Sequence, residues 1–314
     1  MHPKPNLIEA MGLTPWRTRL KQAAMVFRGA EDVPPMKWGL SGLHQLHPRI
    51  SPYLWRGKPY LDRTVLVSNC FNRTQTPVEE GWSTLRTQVN DFRGRQLSYD
   101  SHNGVDFAIP IGTTVVAPAP GIVARVVSEF NRGGLKIFTD HGQGLMTTCA
   151  HLAFAKVKEG DRVYRGQTIG ISGYSGIDAL LTFPVGIPHV HFNTWLNGEP
   201  IDPFARDNEV SMWLGHHPAP AVADPTDTAE PSIYSPEAIA RLIAGCRTPN
   251  VRETLEAVAP FDLQAGYALV AKNYYPTRFS EHLNPYVDEF ERREALNLPF
   301  LAQDFDKLVF IDEI

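Results

Sequence analysis

The chain has 314 residues, 43% apolar and 20% charged, with a formal net charge of −4. That composition supports a sizeable core and gives no basic excess to recruit nucleic acid or an anionic membrane. Its three cysteines, Cys70, Cys149 and Cys246, are widely spaced and form no CxxC pair, which excludes a disulfide framework and a cysteine-based zinc site.

No stretch approaches the ~20 apolar residues of a transmembrane helix. The N-terminal region does not read as a secretory signal, because its apolar run AAMVF is short and no small-residue cleavage site follows. The expected location is cytoplasmic, with export by a signal-independent route as the alternative. Residues 16–28 have an amphipathic pattern, Trp16, Leu20, Ala24 and Phe27 against Arg17, Arg19, Lys21 and Arg28. A helix docked on the fold is the simpler reading; a membrane-surface or targeting helix is the sharper one.

Residues 64–71, TVLVSNCF, are β-branched and apolar and predict a strand. Residues 76–92 predict a helix, with Thr76 as N-cap, Pro77 at the first position and Glu79 completing a capping box. From 96 to 206 the chain changes to short strand-like runs separated by Gly, Pro, Asp and Asn, as in an antiparallel β domain. Residues 218–236 are rich in Pro, Ala, Asp and Thr and read as a linker or crossing segment. Helices are expected to open at Ser235–Pro236 and Thr248–Pro249, with a third over 284–296. The expected organisation is an α+β fold: a mixed region over 1–95, a β domain over 96–206, a Pro/Ala-rich linker over 207–234 and a helical extension over 235–314.

The chemistry concentrates in the β domain. In PHVHF, His189 and His191 are one residue apart on a predicted strand and share a face. Upstream, HNGVD holds His102 and Asp106 around Gly104, better read as a loop entering a strand than as a helix. Two imidazoles and one carboxylate suit a zinc ion with an open fourth position. His151 in CAHL is a fourth candidate histidine.

Five blocks in order, HNGVDFAIPIGTTVVAPAPGIV, DHGQGLMTTCAHL, VKEGDRVYRGQTIGISGYSG, PHVHF and NGEPIDPF, resemble the M23 metallopeptidases, the lysostaphin- and LytM-type peptidoglycan endopeptidases. The resemblance covers about residues 100–205 and has no counterpart in 1–95 or 207–314. It implies a two-sheet antiparallel β catalytic core. It also implies one zinc ion per chain on His102, Asp106 and His191, with His151 and His189 as catalytic residues. The implied activity is hydrolysis of peptide bonds in peptidoglycan cross-links or stem peptides. Alternatives are a zinc peptidase acting on a non-wall or intracellular peptide, and a non-catalytic activator or binding protein of the same family. The glycine-rich block also resembles a biotinyl or lipoyl hairpin, but no tip lysine is evident. The C-terminal helices offer a surface for a protein partner.

Three departures from the family pattern stand out. Cys149 replaces a usual tyrosine two residues before His151 and, on a regular strand, would share its face; a small buried apolar residue is the simpler reading. The link IDALLTFPVGI, 177–187, is longer than usual and apolar, and is a candidate loop or lid at the cleft. Tyr99 lies three residues before His102, a spacing that differs from the upstream tyrosine of some members. His141 is expected in a hairpin turn with a structural role, Asp202 and Pro203 are read as closing the domain, and His216 and His217 are read as solvated.

Overall fold

The computed structural model describes residues 4–314. Seven helices follow in chain order: α1 (Leu7–Met11), α2 (Trp16–Arg28), α3 (Ser51–Trp55), α4 (Ile177–Thr182), α5 (Pro236–Ala244), α6 (Pro249–Glu256) and α7 (Phe261–Tyr274). The strands nearest the N-terminus are β1 (Thr64–Asn69), β2 (Val105–Ala108), β3 (Thr114–Val116), β4 (Gly121–Glu129), β5 (Gly134–Asp140) and β6 (Leu145–Ala155). They are followed by β7 (Arg162–Val163), β8 (Thr168–Ser172), β9 (His189–Leu196), β10 (Glu199–Ile201), β11 (Trp213–Ala219), β12 (Leu296–Leu301) and β13 (Lys307–Phe310). The result is the expected α+β architecture, dominated by antiparallel pairing.

Eleven strands form one sheet with the path β13-β1-β2-β9-β6-β5-β4-β7. Strand β6 is long enough to pair with β5 and β9 and, at its far end, with β8, which carries β3 off the main path. The central strands are buried on both faces, so a core lies on each side. On one face Val105, Phe107, Cys149, Val190 and Phe192 pack with Trp213, Leu296, Leu298 and Phe300, brought by the parallel pair β11–β12. On the other face Phe138, Met146 and Trp195 pack against Ile239, Leu242, Leu255, Ala268 and Leu269 of the C-terminal helices. Each such large apolar side chain contributes about 1.5–3 kcal/mol when removed from water.

Both flanks of the β domain join this sheet. Strand β1 pairs with β2, and β13 lies parallel to β1 with Thr64 opposite Lys307. Part of the expected linker is the strand β11. The C-terminal extension contains helices α5 to α7 and also the strands β12 and β13.

Two predicted helices do not form. Over 76–92 there is only a 3-10 turn at Val78–Glu80. Gly81 follows with φ of 99°, a left-handed conformation that interrupts a helix. The amide groups beyond it are used elsewhere: those of Thr87 and Gln88 donate to the buried Asp100 carboxylate, and that of Asn90 donates to Asn72 Oδ1. The segment 284–296 is irregular because Asn197 holds both backbone groups of Phe290, accepting from its amide at 3.0 Å and donating to its carbonyl at 2.8 Å. The third helix is α7. Its pattern is hard to read because much of its surface is buried, Gly266 packing closely on Ala124 of β4.

Helix α2 forms where expected and is docked, but by the face opposite to the apolar stripe. Arg19 is buried and donates to the Ser128 carbonyl at 3.1 Å, Gln22 accepts from the Phe130 amide at 2.9 Å, and Val26 packs on Phe130 and Ile177. Trp16 and Leu20 point outward, each 61% exposed. No helix among the described residues is long and apolar enough to cross a membrane.

Candidate metal and catalytic centre

Strand register brings the site together. Asp106 of β2 is directly opposite His191 of β9, and Ala150 of β6 flanks His191 on its other side. Asn69 of β1 is opposite Asp106. Alternation along β9 puts His189, His191, Asn193 and Trp195 on one face and Val190 and Phe192 in the core of the other. His102 enters from the loop before β2. Gly104 makes the crossing feasible: a Cβ there would lie 2.6 Å from the Phe192 carbonyl oxygen and 2.8 Å from His191 Cε1.

Three donor atoms converge. His191 Nδ1 is 2.7 Å from Asp106 Oδ1, and His102 Nε2 is 3.1 Å from each of them. The surroundings orient every member. The Cys70 carbonyl accepts from His102 Nδ1 at 2.6 Å, which leaves the Nε2 lone pair facing the cluster. Asn69 Nδ2 donates to Asp106 Oδ2 at 2.9 Å, which leaves Oδ1 turned to the histidines. Burial alone would raise the Asp106 pKa, but His102, His189 and His191 outweigh it and hold the carboxyl well below its usual range. Burial lowers the His191 pKa against the pull of Asp106, so its imidazole favours the neutral form that ligates metals. Two imidazoles and one carboxylate, each oriented by a hydrogen bond to a second group or to one another, are the donor chemistry of a divalent transition metal. Among the described residues, this is the one cluster of three such groups within ligating reach.

His151 and His189 stand beside this cluster, their rings 4.7 Å apart. Each donates Nδ1–H to a backbone carbonyl, His151 to Ser175 and His189 to Ile187, both at 2.8 Å. Each thereby has its Nε2 free of a backbone partner. Burial, followed by the neighbouring His189, pushes the His151 pKa well below its ordinary value.

The placement of His151 depends on a bulge. Leu135 pairs with Leu152 and Ile137 with Cys149, so β6 holds one residue more than β5 between those pairs. His151 takes φ of 59°, left-handed and rare for a residue with a side chain. Cys149 and Leu152 both face the core, and His151 is turned to the opposite face with His189. The regular alternation that would put Cys149 beside His151 is thus broken, and Cys149 is a buried thiol whose pKa burial raises.

Several contributors carry no motif in the sequence. Tyr174 places its ring 5.0 Å from that of His189, and Asp178 of α4 has a carboxylate oxygen 4.0 Å from His151 Nε2. Tyr99 packs against His102, their rings tilted by 40° with centroids 4.4 Å apart. The cleft walls include Met36 and Trp82 from the N-terminal region and Tyr274 from α7. The 177–187 segment is held down rather than loose: the Ser51 hydroxyl bonds the Pro184 and Gly186 carbonyls at 2.7 Å, and His47 donates its amide to the Val185 carbonyl. His141 is buried away from the cluster, donating to the Pro120 carbonyl and accepting from Thr147 Oγ1. Asp202 pairs with Arg73 at 2.8 Å, and His216 and His217 are exposed.

Residues 100–203 match peptidase family M23. An uncharacterized metalloprotease of Haemophilus influenzae is 35% identical over 102 residues, covering 32% of this chain and 20% of that protein. The peptidoglycan DD-endopeptidase ShyA of Vibrio cholerae is 38% identical over 159 residues, covering 49% of this chain and 34% of that protein. The chain therefore spans no more than 34% of the length of these two relatives. Among solved structures, a zinc containing peptidase from Vibrio cholerae is 27% identical with a TM-score of 0.34, covering 46% of this chain and 40% of that one. Residues 100–203 are an M23 peptidase domain.

Proposed function

We propose that this protein is a zinc-dependent peptidase that hydrolyses peptide bonds in peptidoglycan cross-links or stem peptides. The observation that carries this reading is the convergence of His102 Nε2, Asp106 Oδ1 and His191 Nδ1 within 3.1 Å of one another, beside two histidines whose Nε2 atoms face the same cleft. Similarity over the M23 domain to a peptidoglycan DD-endopeptidase supports the choice of substrate.

His102, Asp106 and His191 would hold the ion. Zinc supplies Lewis-acid polarisation of a carbonyl and acidification of water near neutral pH. The protein's own groups supply the rest. His151, held through its Nδ1 by the Ser175 carbonyl, can take up a proton at Nε2 and return it to a leaving amine. His189 Nε2 can stabilise negative charge developing on the substrate once protonated. Tyr174 packs beside His189 and Tyr99 beside His102.

The test is a digest of purified peptidoglycan read by mass spectrometry, with Asp106→Ala and His151→Ala as controls. New peptide termini made by the wild type alone are the expected result. Equal digestion by Asp106→Ala would overturn the metal assignment. No new termini from metal-loaded wild type would move the substrate away from the wall.

A further inference from the structure

The turn between β4 and β5 carries a cation to the rim of the catalytic cleft. Arg132 lines the same cavity as His151 and His189. The turn is tied to the site, because the Gly133 carbonyl accepts from the His151 amide at 2.8 Å. The guanidinium lies between two rings, its carbon 4.9 Å from the Trp82 centroid and 5.2 Å from that of Tyr275. These aromatic faces hold its position.

Among the described residues no carboxylate pairs with this guanidinium and no acceptor hydrogen-bonds it. Arg73, Arg93 and Arg165 each hold a carboxylate within 2.9 Å, whereas Arg125, which lies over Tyr267 outside the cleft, also has none. Glu129, three residues before Arg132, is committed to Lys136 Nζ at 2.7 Å. A second cation, Arg278, lies 4.6 Å from the Tyr275 ring and adds to the positive potential. Asp178 is the carboxylate of the cleft itself, and it faces His151. With no anion partner in the protein, the guanidinium at the cleft rim keeps its donors free for an anionic ligand. Its planar fork matches a carboxylate in two-point contact.

We propose that Arg132 binds a free carboxylate of the substrate peptide, either the chain terminus or a side chain close to the scissile bond. This rests on the peptidase reading above. It makes the enzyme selective for anionic peptides and assigns that selectivity to a residue outside the metal cluster.

The experiment uses the metal-loaded full chain and two pairs of synthetic cross-linked stem peptides. One pair differs only in a C-terminal carboxylate or amide, the other only in a side-chain carboxylate or amide. Wild type is expected to cleave the carboxylate form of one pair about 10–100-fold better in kcat/KM, the scale of a lost charged hydrogen bond. The pair that shows the gap identifies the source. Arg132→Gln is expected to close the gap by raising KM for the carboxylate peptide, and Arg132→Lys to restore part of it. Cleavage of both forms alike by wild type, or an undiminished gap in both variants, overturns the inference alone. Failure of wild type to cleave any of the four peptides overturns the peptidase reading and this inference with it.

Discussion

Asn69 Nδ2 donates to Asp106 Oδ2 at 2.9 Å, and Asp106 thereby turns its other oxygen to His102 and His191. The two residues sit opposite each other on β1 and β2, so a residue outside the M23 match sets the geometry of one inside it. Replacing Asn69 with Leu keeps the volume and removes the donor. We expect metal affinity to fall about 10–100-fold, the usual cost of losing a group that orients a ligand. Asp106→Ala should lose stoichiometric metal altogether. Competition with a metallochromic chelator measures the first, and elemental analysis after gel filtration the second. Unchanged affinity in Asn69→Leu would show that Asp106 needs no such support.

His151 belongs to the cleft but not to the three-atom cluster. His151→Ala should therefore retain metal at the wild-type ratio and lose roughly 10²–10⁴-fold in rate, the range of a positioned acid–base group. Elemental analysis and single-turnover cleavage on the same preparation separate the two effects. Loss of the metal together with the activity would place His151 among the ligands instead.

Gly104 allows the chain to pass beside His191. In Gly104→Ala the new methyl would meet the Phe192 carbonyl oxygen at 2.6 Å and the His191 ring at 2.8 Å. Backbone cannot yield as a flexible side chain does, so β2 and β9 must separate. A destabilisation of about 1–3 kcal/mol is expected, with weaker metal binding because His102 and Asp106 flank the residue that moves. Urea denaturation and metal titration check it; an unperturbed variant would show that the strands adjust freely.

His141 gives a pH dependence remote from the metal. Burial lowers its pKa from 6.5 to about 4, so the folded protein keeps it neutral while the unfolded chain takes up a proton. The unfolded state binds more protons between pH 6.5 and 4, so stability falls as pH drops through that window. The full contribution is about 3 kcal/mol. His141→Gln, which can still donate to the Pro120 carbonyl and accept from Thr147, should flatten the slope. Denaturation midpoints of the two proteins from pH 7 to pH 4.5 test this; parallel curves would mean that other groups dominate.

The members of the candidate cluster were legible because they are local in sequence. Asp106 lies four residues after His102, and His191 two after His189, so both pairs stand out as HxxxD and HxH. The strand over 64–69 was legible from its β-branched run. Two helices were misread because backbone donors that suit a helix found better partners far away, in Asp100 for one segment and Asn197 for the other. The apolar stripe of α2 was visible, yet the helix is docked through Arg19, Gln22 and Val26, because Ser128 and Phe130 offered polar partners there.

The sequence by itself determined which residue types make up the candidate site and the order in which they occur. Tertiary structure decided how they are aimed. The bulge that turns His151 from the Cys149 face to the His189 face is a mismatch between two paired strands, and neither strand records it alone. Asn69 and the Cys70 carbonyl act through contacts with residues 37 and 32 positions away in the chain, and Arg132 is placed by rings 50 and 143 positions away. Such contacts exist only once hydrophobic burial has closed the sheet and fixed its register, and so no local pattern could announce them.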